Sequence, residues 1–386
     1  MREERPQSAS KPVEPDRDRE MVAEDEPSFF ADPKRLIQTA IAVVLLLLAI
    51  YVLVPRLFDL QDALDKIGEG DPLWIALGVV FCVGMFAAYV ALFRGVVGEK
   101  VIHLEWNESY QITMAGLAAT RLFSAGGAGG ILLSYWALRK AGMETRQAVC
   151  RMVAFLVVLY SVYLAALVIF GILLRTGVLS GDAPLSGTLI PAALAGVAIA
   201  VGLLITLVPD DFERRIERHT SGRFGKVARR LATVPATFAQ GVRTALTFIR
   251  QPRSAVMAFG GAIGFWGANI AILWASFHAF DVSVPLGVVI QGFFLGMLAN
   301  LFPFAPGGVG AVDAGMIGAF VLFGVPSAEV FAAVLTYRVI AFWLPIPPGI
   351  VAFFQLRKTV NRWEEEGRDR PERIGAREPE AAAAGS

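Results

Sequence analysis

Residues 286–323 read LGVVIQGFFLGMLANLFPFAPGGVGAVDAGMIGAFVLF, and this stretch decides the fold. It runs apolar to Phe304, is interrupted by Ala305-Pro306-Gly307-Gly308-Val309-Gly310, and is apolar again to Phe323. Glycine has no Cβ atom and proline has no backbone N–H, so a cluster of both ends a helix. The second half is too short to cross about 30 Å of hydrocarbon. The stretch therefore predicts a re-entrant helical hairpin.

Residues 110–138 repeat this pattern around a second glycine-rich segment, 124–130, which contains Gly126 and Gly127. Non-helical backbone at membrane depth survives only where protein or water covers it. Free backbone N–H groups at the start of a helix also favour an anion. We therefore expect both hairpin tips to be candidate anion-binding sites, including Gly126, Gly127, Gly307, Gly308 and Gly310.

The rest of the chain is typical of an integral membrane protein. It is 55% apolar and 18% charged, whereas soluble domains are about 45–50% apolar and about 25% charged. Uncharged or nearly uncharged runs long enough to span a bilayer predict about six full transmembrane helices. These runs are Leu36–Val54, Pro72–Phe93, Met152–Leu174, Leu185–Val208, Ser254–Phe280 and Ala332–Gln355. The predicted fold class is thus an all-α membrane protein with two re-entrant hairpins.

Several functional classes are disfavoured by composition. The formal net charge of +1 argues against nucleic acid as a partner, because a duplex binder needs a basic face. Two cysteines and three scattered histidines offer neither a disulfide framework nor a metal site. The apolar part has no paired carboxylates and no nucleophile beside a base. We therefore predict no enzyme, no cofactor and no metal.

The distribution of Lys and Arg predicts the orientation. The loop 209–253 has ten bases and four acids, whereas the loops 281–285 and 324–328 have no base. This places the loop 209–253 and both termini in the cytoplasm of a plasma-membrane protein, with the loop lying on anionic inner-leaflet lipids. The tails 1–35 and 359–386 are predicted to be disordered by their composition.

The domain 36–358 contains a predicted inverted repeat. Residues about 72–175 and about 254–357 have the same order of helix, glycine-broken hairpin and helix. The charge count puts the two copies in opposite orientations, so the hairpins enter from opposite faces of the membrane. Such repeats occur in alternating-access transporters, whose substrate lies between the copies. The alternative is two unrelated glycine-rich turns.

Arg338 is the most informative single residue, because a lone Arg in an apolar helix costs about 2.5–3.5 kcal/mol on insertion scales. Its guanidinium suits a phosphate, and the alternative is a buried pair with Asp313 or Glu329. Asp313 is either an acid favoured by the N-terminal helix dipole or a coupling group at the tip. Arg121 either caps its own helix or contacts a lipid phosphate.

Three amides lie at predicted membrane depth: Asn269, Gln291 and Asn300. Hydrogen bonding between helices is their usual role. Asn300, five residues before the second glycine cluster, is also included with the candidate substrate-binding residues.

The second hairpin and the last helix resemble the lysylphosphatidylglycerol synthase transmembrane family, the flippase-like half of the multiple peptide resistance factors. The matching residues are Pro306-Gly307-Gly308-Val309-Gly310-Ala311-Val312-Asp313, Phe323-Gly324-Val325, Leu335-Thr336-Tyr337-Arg338-Val339 and Trp343-Leu344-Pro345 with Gly349. Carried over by position, the resemblance implies functional roles for Asp313, Tyr337 and Arg338. The first hairpin matches weakly, since its glycine cluster has no proline. No aminoacyltransferase domain is expected after residue 358.

These observations lead to one functional hypothesis and its alternatives. We expect a flippase-like translocase that moves an anionic lipid, either a phospholipid or a polyprenyl-phosphate-linked lipid, between leaflets. The alternative is a non-transporting scaffold that docks a membrane enzyme of envelope lipid or glycan synthesis through the loop 209–253. A carrier of small solutes or ions is disfavoured, because few polar side chains line the spans.

Overall fold

The structure is a computed structural model that describes residues 68–98, 102, 104–122, 128–205, 241–245, 252–301 and 310–367. All of these residues belong to one compact unit, Asp62–Ser386. The predicted span at 36–54, most of the loop 209–253, the N-terminal tail and residues 368–386 lie outside the described part.

Within these residues the regular structure is helical. The α-helices are α1 Pro72–Val97, α2 Trp106–Leu122, α3 Ala128–Lys140, α4 Thr145–Arg175, α5 Leu189–Ile205, α6 Pro252–His278, α7 Leu286–Met297, α8 Ala311–Leu322, α9 Ser327–Arg338 and α10 Ile346–Glu365. A π turn, Val339–Trp343, connects α9 to α10. Four segments are long and apolar enough to cross a membrane, namely α1, α4, α6 and the continuous segment Ser327–Glu365. The protein is therefore a multi-pass membrane protein.

Helices α1 and α6 pack closely along most of their length. A Cβ atom built on Gly95 would lie 2.5 Å from the Ala258 nitrogen, and at the other end the ring centroids of Trp74 and Trp274 are 5.2 Å apart. The early part of α1 therefore meets the late part of α6, so the two helices are antiparallel. Small residues allow this close approach, as is common between membrane helices.

Each glycine-rich segment separates two short helices that pack against one another. In the first pair, a Cβ atom on Gly130 of α3 would lie 2.4 Å from the Gly116 oxygen of α2. In the second pair, a Cβ atom on Gly315 of α8 would lie 2.8 Å from the Gly296 oxygen of α7. Helices α7 and α8 have 12 residues each, or about 18 Å at about 1.5 Å per residue. This is shorter than the roughly 30 Å hydrocarbon layer.

Each hairpin packs against a helix that belongs to the other half of the chain. Helix α2 packs on α10, where Thr359 donates to Gln111 Oε1 at 2.8 Å and Trp363 Nε1 donates to Glu108 Oε1 at 3.0 Å. Helix α7 packs on α4, where the Tyr163 hydroxyl donates to the Phe294 carbonyl at 2.6 Å. Each hairpin is thus held by the last helix of the opposite half.

The two ends of the bundle differ in charge. At one end, Lys140 pairs with Glu364, and Arg151 Nη1 donates to the Val96 carbonyl at 2.8 Å. At the other end, the loops after α4, α6 and α8 line a cleft of about 660 Å³ that contains Asp182, Asp281 and Glu329 and no Lys or Arg. The loops with few or no bases therefore gather at one end of the described bundle.

Several boundaries differ from the sequence-based predictions. Helix α5 begins at Leu189, four residues after the predicted start at residue 185, and residues 206–208 of the predicted run lie outside the described part. The last helix continues to Glu365 although a disordered tail was expected from residue 359. Thr359 and Trp363 are buried there against α2, which explains the continuation. Residues 241–245 of the basic loop are helical, and a Cβ atom on Gly241 would lie 2.2 Å from Val153 Cγ1.

Candidate functional site

Arg338, the last residue of α9, forms an ion pair with Asp313 of α8. Its Nε donates to Asp313 Oδ1 and its Nη2 lies 3.4 Å from Asp313 Oδ2. Arg338 is only 9% exposed, so its charge is removed from solvent and is compensated within the protein. Of the two acids proposed as partners from the sequence, the structure therefore pairs it with Asp313, while Glu329 lines the cleft at the bundle end.

Asp313 also holds the start of its own helix. The backbone N–H of Gly310 donates to Asp313 Oδ2 at 2.9 Å. Gly310 has φ +82°, a conformation that glycine adopts without a Cβ penalty. One carboxylate thus fixes the end of the second glycine-rich segment and neutralises Arg338.

Arg121 reaches across to the other half of the chain from the end of α2. Its Nη2 donates to the carbonyl of Ala341 at 2.8 Å, and not to a carbonyl of its own helix. Its Nη1 is buried and has no hydrogen-bond partner among the described residues. A buried polar atom without a partner is uncommon and needs an explanation.

The two arginines share one aromatic ring. The Cζ atom of Arg338 lies 4.9 Å from the ring centroid of Phe342, and the Cζ atom of Arg121 lies 5.6 Å from it. Cations within about 6 Å of an aromatic centroid are attracted by the ring quadrupole, whereas the like charges of the two guanidiniums repel each other. We call Arg121, Arg338, Asp313 and Phe342 the arginine cluster.

A π turn supplies the carbonyl that Arg121 uses. The wider turn at Val339–Trp343 rearranges the ordinary helical hydrogen bonds, and such turns are frequent at functional sites. The Ala341 carbonyl accepts from Arg121, and the Ile340 carbonyl accepts from the Cys82 thiol at 3.3 Å. The turn therefore links the last helix to both α1 and α2.

Tyr337 and two of the predicted amides form hydrogen bonds that join separate segments of the chain. The Tyr337 hydroxyl donates to Asn269 Oδ1 at 3.0 Å, which joins α9 to α6. Gln291 Nε2 donates to the Gly187 carbonyl at 3.0 Å. Both amides therefore bond between segments, as expected for polar groups at membrane depth.

The remaining predicted residues are four tip glycines and Asn300. Gly126, Gly127, Gly307 and Gly308 lie outside the described residues. Asn300 belongs to the 3-10 turn Leu298–Leu301, and its side chain is also outside the described part. Of the described residues that flank the two segments, Arg121 and Asp313 belong to the arginine cluster, and Gly310 donates to Asp313.

Phe342 was not identified from the sequence. It is four residues after Arg338, and side chains four apart on a helix are neighbours, so that spacing was the available signal. The contact with Arg121 had no such signal, because 220 residues separate Arg121 from Ala341.

Comparisons with known proteins place this arrangement in a family. Residues 36–349 match the family model described as the lysylphosphatidylglycerol synthase TM region. A UPF0104 membrane protein of Methanothermobacter thermautotrophicus is 27% identical over 331 residues, which cover 83% of this chain and 94% of the relative. The phosphatidylglycerol lysyltransferase of Staphylococcus haemolyticus is 28% identical over 104 residues, 27% of this chain and 12% of that protein. Because the family model spans most of the sequence, this chain belongs to the lysylphosphatidylglycerol synthase TM region family of membrane proteins.

Proposed function

We propose that this protein is a flippase-like translocase that moves an anionic, phosphate-bearing lipid between the leaflets of the plasma membrane. The observation that carries this function is the convergence of Arg121 and Arg338 on Phe342. Placing two guanidiniums in an apolar bundle costs free energy. Their N–H groups are donors suited to a phosphate. The transport step itself requires no chemical reaction and no cofactor.

The depth of the cluster supports this function. Arg338 ends the helix that begins at Ser327, so it lies about 16 Å along the helix axis at roughly 1.5 Å per residue, or about half of a 30 Å hydrocarbon layer. Arg121 lies near the end of α2, which has 17 residues. A phosphate crossing the membrane meets its highest barrier near this depth, because a charge is least solvated there.

The packing of the two halves supports an inverted repeat as the transport architecture. The first helices of the halves are antiparallel, and each hairpin packs on the last helix of the other half. Exchanging the halves keeps these pairings of helices. Transporters with inverted repeats rock one half against the other around a central site, and the arginine cluster has residues from both halves.

We place the basic end of the bundle and both termini in the cytoplasm, following the positive-inside rule. The acidic cleft then opens at the extracytoplasmic surface. Anionic inner-leaflet lipids are the expected partners of the basic loop 209–253. A scaffold that docks a membrane enzyme through this loop remains the alternative, and deletion of residues 209–240 separates the two, because a translocase keeps its transport rate.

Reconstituted vesicles with fluorescent phosphatidylglycerol test the function. We expect the purified protein to make the inner-leaflet dye accessible to dithionite, and we expect Arg338→Ala to remove this activity. Arg357→Ala is the matched control, because Arg357 is exposed on the same continuous helical segment. Equal rates for protein-free vesicles and the wild-type protein would reject transport of this lipid.

A further inference from the structure

Counted over the described residues, the arginine cluster carries one excess positive charge. The described residues place two guanidiniums and one carboxylate there, from Arg121, Arg338 and Asp313. The flanking segments 123–127 and 302–309 contain no ionisable side chain in the sequence, so they leave this count unchanged. A buried charge that is not compensated is strongly unfavourable, which makes the cluster short of one negative charge.

The deficit is located at Arg121. Arg338 has the Asp313 carboxylate as its counterion. Arg121 instead has a neutral carbonyl on Nη2 and no partner among the described residues on the buried Nη1. A carbonyl satisfies a donor but does not neutralise a cation, so Arg121 is the group that needs an anion.

We propose that Arg121 binds one oxygen of a monoanionic phosphodiester headgroup, while Asp313 remains ion-paired with Arg338. This assignment rests on the proposed function and adds charge selectivity to it. A phosphodiester such as that of phosphatidylglycerol brings the site to neutrality. A dianionic phosphomonoester leaves an excess negative charge, and a zwitterionic lipid leaves the original positive charge. In an apolar site either imbalance weakens binding.

Asp313 therefore sets the charge of the ligand that the cluster accepts. Removing its charge raises the net charge of the cluster to two, which suits a phosphomonoester dianion. Removing the charge of Arg121 leaves the ion pair of Arg338 and Asp313. This pair has no net charge, so it does not favour an anionic ligand. The two substitutions change selectivity in different directions, whereas general damage to the fold would weaken all lipids alike.

The experiment is a competition at pH 8 between fluorescent phosphatidylglycerol and unlabelled lipids on the purified full chain in detergent micelles. We expect phosphatidylglycerol to compete better than phosphatidic acid or phosphatidylcholine by roughly tenfold to a hundredfold, the range of one charge-assisted hydrogen bond. Asp313→Asn shifts the preference towards phosphatidic acid. Arg121→Gln removes the preference, Arg121→Lys restores part of it, and Arg357→Gln leaves it unchanged.

Equal competition by phosphatidylglycerol and phosphatidic acid in the wild-type protein would overturn the selectivity. So would an unchanged preference in Asp313→Asn whose thermal unfolding matches the wild type. Displacement of the lipid by inorganic phosphate at the same concentration would also overturn it, because the site would then be one for small free anions. A failure of transport with intact lipid selectivity rejects only the proposed function, which keeps the two conclusions separable.

Discussion

The closest approach between α1 and α6 predicts a large difference between two adjacent glycines. A Cβ atom on Gly261 would lie 2.4 Å from the Leu92 nitrogen and 2.7 Å from the Ala88 oxygen. A Cβ atom on Gly260 would meet nothing within 4 Å. Ordinary Cβ contacts begin near 3.4 Å, so Gly261→Ala requires the two helices to separate by about 1 Å. Gly260→Ala requires no movement.

The magnitude follows from two opposing effects. Replacing glycine by alanine inside a helix stabilises the helix by about 1 kcal/mol, and this applies to both variants. Overpacking of a tight interface lowers the free energy of unfolding by about 1–3 kcal/mol, and only Gly261→Ala overpacks the interface. We therefore expect the free energy of unfolding of Gly261→Ala to lie about 1–3 kcal/mol below that of Gly260→Ala.

Thermal or denaturant unfolding in detergent, followed by tryptophan fluorescence, measures this difference. Gly95→Ala provides an independent repeat, because its Cβ would lie 2.5 Å from the Ala258 nitrogen, and Gly84→Ala is its open control on the same helix. If Gly261→Ala were as stable as Gly260→Ala, the helices would not be packed as described, and the antiparallel pairing of the two halves would lose its main support.

Three further predictions concern the first hairpin, the hydrogen bond between Tyr337 and Asn269, and the orientation of the chain in the membrane. Gly130→Ala should open the first hairpin and lower the unfolding temperature, because its Cβ would lie 2.2 Å from Thr120 Oγ1; an unchanged unfolding temperature would contradict this packing. Tyr337→Phe should lower the free energy of unfolding by about 0.6–1.7 kcal/mol, because it removes the hydrogen bond to Asn269, and no loss would show that the bond contributes nothing. In a background without native cysteines, a membrane-impermeant maleimide added to intact cells should label Ser283→Cys and not Lys358→Cys; the reverse pattern would invert the assigned topology.

The helices were largely predictable because membrane spans depend on hydropathy, which is local. The run 254–280 corresponds to Pro252–His278, with an error of two residues at each end. The run that was ended at Phe93 continues to Val97, because Arg94 is buried and donates to the Leu104 carbonyl and the Ser109 hydroxyl. A charge that has internal partners does not end a span, and hydropathy alone cannot recognise such partners.

The candidate site was predictable only in part. Arg338 and Asp313 were identified because a charge at membrane depth is costly, and their pairing was one of two alternatives. The contact of Arg121 with the π turn depends on how residues 220 positions apart in the sequence pack. Neither composition nor spacing reports such a contact, and the same is true of the ring of Phe342 that both arginines share.

The packing of α2 on α10 affects how the chain folds during translation. Glu108 and Gln111 of the first hairpin find Trp363 and Thr359, which follow 255 and 248 residues later. At about 5–20 residues per second, the ribosome needs roughly 12–50 s to deliver them. During that interval the polar side chains of α2 require water, lipid headgroups or an insertion factor as temporary partners. A nascent chain arrested before α10 should therefore be a preferred target of membrane proteolysis.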